Sequence, residues 1–212
     1  MTISNESRGR IKKVFEPIAL GMGRAGLTPN GLTLIGFGIS VAGAALLAAQ
    51  LWVIGGIVVF VGGAFDMFDG TLARATGKVS PFGAFMDSVF DRWGEAIVYL
   101  GIAWGAVLAR EDAVAILATA ALGAAFMVSY TRAKSEGLGF SPGIGMAAIG
   151  VMPREIRLVV LSLGLIVAGA TANLTILAAA LAIIAVGAVI TVIQRILQTR
   201  SQADSATTNT TR

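Results

Sequence analysis

The sequence predicts an all-α membrane protein with six transmembrane helices and an N-terminal amphipathic helix at the membrane interface. Of the 212 residues, 56% are hydrophobic and only 13% are charged, whereas a soluble domain carries about 25% charged residues. The mean hydropathy is +0.81. The charged residues also fall in short stretches that separate long apolar blocks. Together these observations exclude a soluble globular fold.

Residues 1–24 predict a cytoplasmic leader rather than a cleaved signal peptide, because no apolar core closely follows the basic residues. An apolar stripe at helical spacing is typical of a short helix that lies on the membrane surface. An ordinary positively charged leader explains the segment equally well. The stripe consists of Ile11, Val14, Phe15, Ile18 and Met22.

Six apolar segments follow, and a spanning helix needs about 20 such residues. We place the helices at 31–49, 53–75, 82–109, 112–135, 154–171 and 174–197. The transmembrane domain thus covers residues 25–200, and the Ser- and Thr-rich residues 201–212 are expected to be a disordered tail. Lys and Arg concentrate on one side of the predicted spans. Both termini are therefore expected on the cytoplasmic side of the cell membrane.

The residue types that the chain lacks limit its chemistry. The absence of Cys excludes disulfides and thiolate sites, and the absence of His removes the commonest general base and zinc ligand. Acid–base or metal chemistry must then depend on the 12 Asp and Glu residues. A net charge of +4 gives little support for nucleic-acid binding.

Four aspartates are the candidate site. Asp66 and Asp69 lie near the end of the second span, and Asp87 and Asp91 lie near the start of the third. Each pair shares a helix face, and the short connection makes the two helices antiparallel neighbours. Four clustered carboxylates need compensating cations, and oxygen ligands without His or Cys favour Mg²⁺, Mn²⁺ or Ca²⁺. Two divalent ions would balance the charge and serve phosphoryl displacement.

Small and basic residues beside the aspartates support this interpretation. Gly70 and Ala73 leave room for a flat base or a diphosphate, and Arg74 can neutralise a phosphate. A structural alternative pairs the acids with Arg74, Lys78 and Arg92 as salt bridges at the membrane edge. We prefer the metal site because the acids are regularly spaced and outnumber the nearby bases.

The segment that contains these aspartates resembles the signature of the CDP-alcohol phosphotransferase family. It reads Asp66-Met-Phe-Asp69-Gly70-Thr-Leu-Ala73-Arg74, then eight residues, then Gly83-Ala-Phe-Met-Asp87-Ser-Val-Phe-Asp91. All eight fixed positions of D-x-x-D-G-x-x-A-R and G-x-x-x-D-x-x-x-D are present. The six-helix layout and the leader are also similar to the family.

The resemblance implies a magnesium enzyme that works on a CDP-linked lipid. Asp66, Asp69, Asp87 and Asp91 would hold two Mg²⁺ ions, with Mn²⁺ as a substitute, and Asp91 would also be the general base. CMP would leave, and the enzyme would be a homodimer. Thr28-Pro29-Asn30-Gly31-Leu32-Thr33 is similar to the family's T-P-N-x-L-T segment, although by itself it predicts only a helix start with Asn30 as N-cap. The implied donor-binding residues are Asn30, Gly31, Leu32, Thr33, Gly70, Ala73, Arg74 and Ser80.

Five basic residues at the level of the aspartates predict a phosphate on the acceptor. They are Arg132, Lys134, Arg154, Arg157 and Arg195. The usual excess of Lys and Arg beside the cytoplasmic ends of membrane spans explains some of them. It explains the pairing of Arg154 with Arg157 and the position of Arg195 less well. The surrounding segments are similar to the prokaryotic phosphatidylinositol-phosphate synthase branch of the family, with S-Y-x-K-A-R-A-E and E-R-x-x-R. Here Arg132 and Lys134 exchange the order of the basic residues, and Pro153 replaces the Glu.

The predicted reaction is transfer of a phosphatidyl or similar group to a phosphorylated polyol. Inositol phosphate is the preferred acceptor, and glycerol 3-phosphate, giving phosphatidylglycerol phosphate, is second. A cation-coupled transporter is the alternative from another class, but it predicts acids at mid-membrane on several helices. A purely structural membrane subunit leaves the ordered acids without a role.

Overall fold

The structure is a computed structural model that describes residues 16–140 and 149–210, with side chains up to residue 204. Every regular element within these ranges is an α-helix. Residues 16–24 form α1. The others are α2 (Pro29–Ala48), α3 (Trp52–Phe65), α4 (Met67–Ala75), α5 (Pro81–Leu108), α6 (Asp112–Gly137), α7 (Arg154–Thr171) and α8 (Leu174–Thr210).

Six of these helices form a closed ring. In order around it, α2 packs on α3, α3 on α7, α7 on α8, α8 on α6, α6 on α5, and α5 on α2. Helices α5 and α7 therefore lie opposite each other. One apolar cluster with members from all six helices fills the interior, and it includes Leu47, Trp52, Tyr99, Ala121, Leu165 and Leu181. Glycine allows the closest helix approach, because a Cβ at Gly101 would meet the carbonyl of Ala44.

Four helical stretches are long and apolar enough to cross a membrane, which makes this chain an integral membrane protein. They are Pro29–Ala48, Trp52–Ala75, Asp112–Gly137 and Leu174–Asp204. The expected third and fifth spans, α5 and α7, are outside this set because α5 carries several charged side chains between Asp87 and Glu95 and α7 carries several between Arg154 and Arg157. The outward surface of the helices is nevertheless apolar, with Trp104, Ile116 and Val186 all more than half exposed.

Two helices end where the sequence pattern did not predict. The expected second span, 53–75, is broken at Asp66 into α3 and α4. No proline marks this break, which coincides instead with an ion pair between Asp66 and α7. Helix α8 continues to Thr210, although residues 201–212 were expected to be a disordered tail. Extending an existing helix needs no new nucleation, so a polar sequence can continue it.

Only part of the expected amphipathic helix can be compared with the structure. Ile11, Val14 and Phe15 lie outside the described residues. In α1, Ile18 is 47% exposed while Ala19 is fully buried. Ala19 packs with Leu32 of α2 and Leu72 of α4. This contact fixes α1 against the helices that carry the first half of the motif.

Helices α2 and α5 begin with the same hydroxyl–proline arrangement. The backbone N–H of Gly31 donates to Thr28 Oγ1 at 3.1 Å, and that of Gly83 donates to Ser80 Oγ at 3.0 Å. A proline follows each hydroxyl residue at the first helical position. The expectation that Asn30 caps α2 is therefore wrong, because the Thr28 hydroxyl satisfies the free N–H.

Candidate active site

The four aspartates lie at one end of the ring, where α4 and α6 end and α5 and α7 begin. We call this the charged end. Two cavities open there, with the aspartates between them. Asp69 and Asp87 line one cavity, of about 250 Å³, and Asp91 lines the other, of about 520 Å³. The two cavities differ in the side chains that form them, and they are described in turn.

The smaller cavity lies between α2, α4 and the start of α5, and we call it the small-residue cavity. Six of the eight expected donor-binding residues line it: Asn30, Thr33, Gly70, Ala73, Arg74 and Ser80. The other two are beside it, since the N–H of Gly31 is used in the cap and the side chain of Leu32 is buried against α1 and α4. Contacts between segments more than 35 residues apart thus bring this set together.

The small-residue cavity suits a negatively charged ligand. The first turns of both α2 and α5 form part of its wall, and helix N-termini favour anions. The guanidinium of Arg74 lies directly over Gly70, where a Cβ would be 3.2 Å from Arg74 Nη1. At Gly83 a Cβ would be 3.4 Å from Asn30 Oδ1. Larger side chains at these glycines would therefore reduce the space available to a ligand.

The carboxylates themselves are mostly withdrawn from solvent. Asp69 is only 5% exposed, and its Oδ2 accepts a hydrogen bond of 2.7 Å from Thr33 Oγ1. Asp66 Oδ2 lies 2.6 Å from Arg154 Nη2, and Asp91 Oδ1 lies 3.1 Å from the same nitrogen. Arg92 is a further cation, 3.6 Å from Asp91. Acids from α3–α4 and α5 therefore converge around one arginine of α7.

The chemistry of this donor set fits a hard divalent cation. Asp69, Asp87 and Asp91 each line one of the two cavities, and Asp66 shares Arg154 with Asp91. The four carboxylates carry more charge than the two neighbouring cations, Arg154 and Arg92. Their placement does not by itself form a coordination shell: within residues 16–140 and 149–204, no three acidic side chains are grouped closely enough to hold one ion. Asp66 and Asp91 would have to turn away from Arg154 to share a metal.

The larger cavity lies between α5, α6, α7 and α8, and we call it the basic cavity. Four of the five expected phosphate-binding residues line it: Arg132, Arg154, Arg157 and Arg195. Lys134 does not, because it points into a separate cavity of about 350 Å³ between α6 and α8. Arg195 is buried and donates to the carbonyls of Val128 and Ile149, which fixes its position in the wall.

Three side chains close to the aspartates were not predicted as part of the site, although Arg92 was named as a salt-bridge partner in the structural alternative. Arg92 donates to Ser129 of α6, and both line the basic cavity. Glu95, one turn beyond Asp91, pairs with Arg157 across the ring. Glu95 could have been found, since an acid at the start of a long apolar stretch is a functional candidate by default. The Ser129 contact depends on how α5 and α6 pack, and no sequence spacing reports that.

Comparison with known proteins identifies the family. Residues 26–208 match the CDP-alcohol phosphatidyltransferase family. The archaetidylinositol phosphate synthase of Pyrococcus horikoshii is 39% identical over 154 residues, covering 73% of this chain and 77% of the relative. The crystal structure of Mycobacterium tuberculosis phosphatidylinositol phosphate synthase with CDP-DAG bound superposes with a TM-score of 0.78 at 32% identity, covering 88% and 94% of the two chains.

The same Mycobacterium tuberculosis synthase in complex with manganese and citrate also has a TM-score of 0.78 at 32% identity, covering 87% of this chain and 88% of that one. These matches extend over nearly all of the ring and include both halves of the aspartate motif. The resemblance read from Asp66 to Asp91 is thereby confirmed. This chain belongs to the CDP-alcohol phosphatidyltransferase family.

Proposed function

We propose that this protein transfers a phosphatidyl group, or a similar lipid phosphate group, from a CDP-linked lipid to inositol phosphate and releases CMP. The observation that carries this proposal is the position of the four motif aspartates between two cavities of different character. One cavity has small residues and helix N-termini, and the other has arginines. The relatives include an archaetidylinositol phosphate synthase and a phosphatidylinositol phosphate synthase, and these names support inositol phosphate as the acceptor.

The small-residue cavity is the proposed donor site. Its flat wall at Gly70, Ala73 and Gly83 admits the nucleotide, and Arg74 with the first turns of α2 and α5 attracts the diphosphate. The CDP-DAG bound by the related Mycobacterium tuberculosis enzyme supports a CDP-linked lipid as the donor. Asn30, Thr33 and Ser80 supply polar groups at the edge of the cavity.

Asp91 is the proposed general base, because it is the motif aspartate that lines the basic cavity. Its carboxylate accepts the proton of an acceptor hydroxyl as that oxygen forms a bond to the phosphorus attached to the lipid. The bond from this phosphorus to the CMP oxygen breaks, and CMP leaves with that oxygen. No covalent intermediate on the protein is required.

Asp66, Asp69, Asp87 and Asp91 are the proposed ligands of the metal, which we take to be two Mg²⁺ ions with Mn²⁺ as a substitute. A bound divalent cation would neutralise the diphosphate and the charge that develops on the leaving group. The manganese complex of the related enzyme supports a divalent cation in this family. Thr33 keeps the carboxylate of Asp69 oriented by its hydrogen bond.

The basic cavity is the proposed acceptor site. Arg132 and Arg154 present guanidinium groups to it, and Arg195 adds a third that is held by backbone carbonyls. Guanidinium groups bind phosphate through paired hydrogen bonds. An acceptor that carries a phosphate is therefore favoured over a neutral alcohol.

We further propose that all six ring helices cross the membrane, with the charged end and both termini in the cytoplasm. The charged residues of α7 lie in its first turn and those of α5 lie between Asp87 and Glu95, so the apolar residues that follow in each helix can enter the bilayer. The homodimer stays a prediction of the family resemblance.

The direct test is to give the purified protein a CDP-linked lipid with one acceptor at a time. Inositol phosphate, glycerol 3-phosphate and serine are compared, with Mg²⁺ and with a chelator, and both CMP and the lipid product are identified. We expect Mg²⁺-dependent product with inositol phosphate. If the lipid product forms only with glycerol 3-phosphate, glycerol 3-phosphate is the acceptor instead of inositol phosphate. If no acceptor leads to release of CMP, the proposed reaction is contradicted.

A further inference from the structure

Glu95 is a buried acid for which the proposed reaction has no direct use. It lies on α5 one turn beyond Asp91, and its side chain is 11% exposed. Its Oε1 and Oε2 accept hydrogen bonds from Nε and Nη2 of Arg157 at 2.8 and 2.9 Å. This is a bidentate pair, the strongest geometry that a carboxylate and a guanidinium can form. The pair joins α5 to α7 across the ring.

The guanidinium of Arg157 is held in place by further contacts within the protein. The residue is only 1% exposed, and its third nitrogen, Nη1, donates to the carbonyl of Met152 at 3.1 Å. Each guanidinium nitrogen thus already donates to an oxygen of the protein. Arg157 therefore fixes the start of α7 and the segment before it, although its side chain reaches the wall of the basic cavity.

The pair formed by Glu95 and Arg157, which we call the clamp, affects the position of Arg154. Arg154 precedes Arg157 by three residues, so both lie on the same side of α7. Its guanidinium bridges Asp66 and Asp91 and also lines the basic cavity. The position of α7 relative to α5 decides whether Arg154 can reach both places. Glu95, through Arg157, is a side chain that holds this relation in addition to the ion pair between Asp91 and Arg154 itself.

A small cavity with a mainly apolar wall lies beside the Glu95–Arg157 pair. Its volume is about 40 Å³, and Ser40, Glu95, Tyr99 and Arg157 are among the residues that line it. The hydroxyl of Tyr99 is buried and has no hydrogen-bond partner within the described part of the chain. A cavity of this size holds one or two water molecules, which would link such a hydroxyl to its polar neighbours. Glu95 and Arg157 thus also border a second, smaller space on the side of Tyr99.

We propose that Glu95 is a positioning residue for the acceptor: by holding Arg157 across the ring, it places the Arg154 guanidinium where the acceptor phosphate and Asp91 meet. Glu95 itself touches neither substrate. The identity of the acceptor rests on the proposed function, whereas the clamp and its effect on Arg154 rest on the contacts above.

The test compares Glu95→Gln, Arg157→Gln and the double variant, with Glu111→Gln as a matched control. Glu111 is exposed and lies in the connection between α5 and α6, at the opposite end of α5 from the aspartates. We expect Glu95→Gln to raise the KM for inositol phosphate by about tenfold and to change the KM for the CDP-lipid by less than about twofold. The double variant should be no worse than Arg157→Gln, because the two residues act as one unit. Glu95→Asp, which keeps the charge, should recover part of the loss.

Two results would overturn the proposal. A fall in kcat with both KM values unchanged would show that Glu95 only supports the fold. A much larger effect of Arg157→Gln than of Glu95→Gln, with additive losses in the double variant, would make Arg157 a direct phosphate ligand. Binding of inositol phosphate, measured by thermal shift without donor, separates this test from the proposed reaction. An active wild type with unchanged binding in Glu95→Gln contradicts the clamp alone, and an inactive wild type contradicts the reaction alone.

Discussion

The small-residue cavity and the basic cavity are formed in opposite ways. The first is built by side chains that are missing or short, at Gly70, Ala73 and Gly83, together with two capped helix N-termini. The second is built by long arginines, which acids and backbone carbonyls hold in place. Both cavities need helices that are distant in sequence, since α2 closes the first and α6, α7 and α8 close the second. They differ in that the first depends on small side chains and helix starts, whereas the second depends on ion pairs and hydrogen bonds between long side chains.

This difference predicts how each cavity responds to substitution. In the small-residue cavity the backbone itself faces the ligand, so single charged residues such as Arg74 act almost independently. In the basic cavity the charges support one another, as Glu95 supports Arg157 and Arg154 lies between Asp66 and Asp91. The following predictions separate the two cavities by kinetics.

The largest effect is expected at the boundary, from Asp91→Asn. An amide cannot accept the acceptor's proton, so kcat should fall by about 10²- to 10⁴-fold. CMP release under saturating substrates measures this loss. The protein should still gain thermal stability from CDP-lipid, because Asp91 lines the other cavity. Asp112→Asn, at the far end of α6, is the control and should retain full activity. Turnover within tenfold of wild type would exclude Asp91 as the base.

A smaller and one-sided effect is expected from Arg74→Gln in the small-residue cavity. Loss of one charge-assisted contact to the diphosphate should raise the KM for the CDP-lipid by about tenfold. The KM for inositol phosphate should stay within about twofold, since Arg74 does not line the basic cavity. Initial rates with each substrate varied in turn give both constants. Arg110→Gln is the matched control, and an equal rise in both KM values would contradict two separate cavities.

The same contrast explains how much could be predicted from the sequence. The pairing of the aspartates on shared helix faces follows from their spacing, because an i, i+3 or i, i+4 interval fixes a helix face. The donor-side residues, half of which lie on α2, were predicted from the resemblance to the family. Leu32 matched the motif but packs inward against Ala19, since its face of α2 is turned toward α1. The basic cavity needed the ring order of α6, α7 and α8. For that reason the pairing of Glu95 with Arg157 and the different location of Lys134 emerged only from the structure.

Arg132→Gln should have a moderate effect on the acceptor side. Its side chain is 49% exposed and forms an ion pair of 3.0 Å with Glu136, so solvent already screens its charge. We expect the KM for inositol phosphate to rise by about three- to fivefold, with little change for the CDP-lipid. Titrating inositol phosphate at saturating CDP-lipid measures it. If only the KM for the CDP-lipid rises, Arg132 acts at the donor site and its assignment to the acceptor side is contradicted.

The smallest effect is expected from Lys134→Gln. This variant tests whether acceptor binding is predicted better by position in the sequence or by which cavity a side chain lines. Lys134 is only two residues from Arg132, and by sequence both belong to the basic group expected to bind phosphate. Residues two apart on a helix point in different directions, and here Lys134 faces the separate cavity between α6 and α8. The KM for inositol phosphate should therefore change by less than about twofold, in the assay used for Arg132→Gln. If Lys134→Gln instead raises the KM for inositol phosphate as much as Arg132→Gln does, the acceptor site extends beyond the basic cavity and includes both residues.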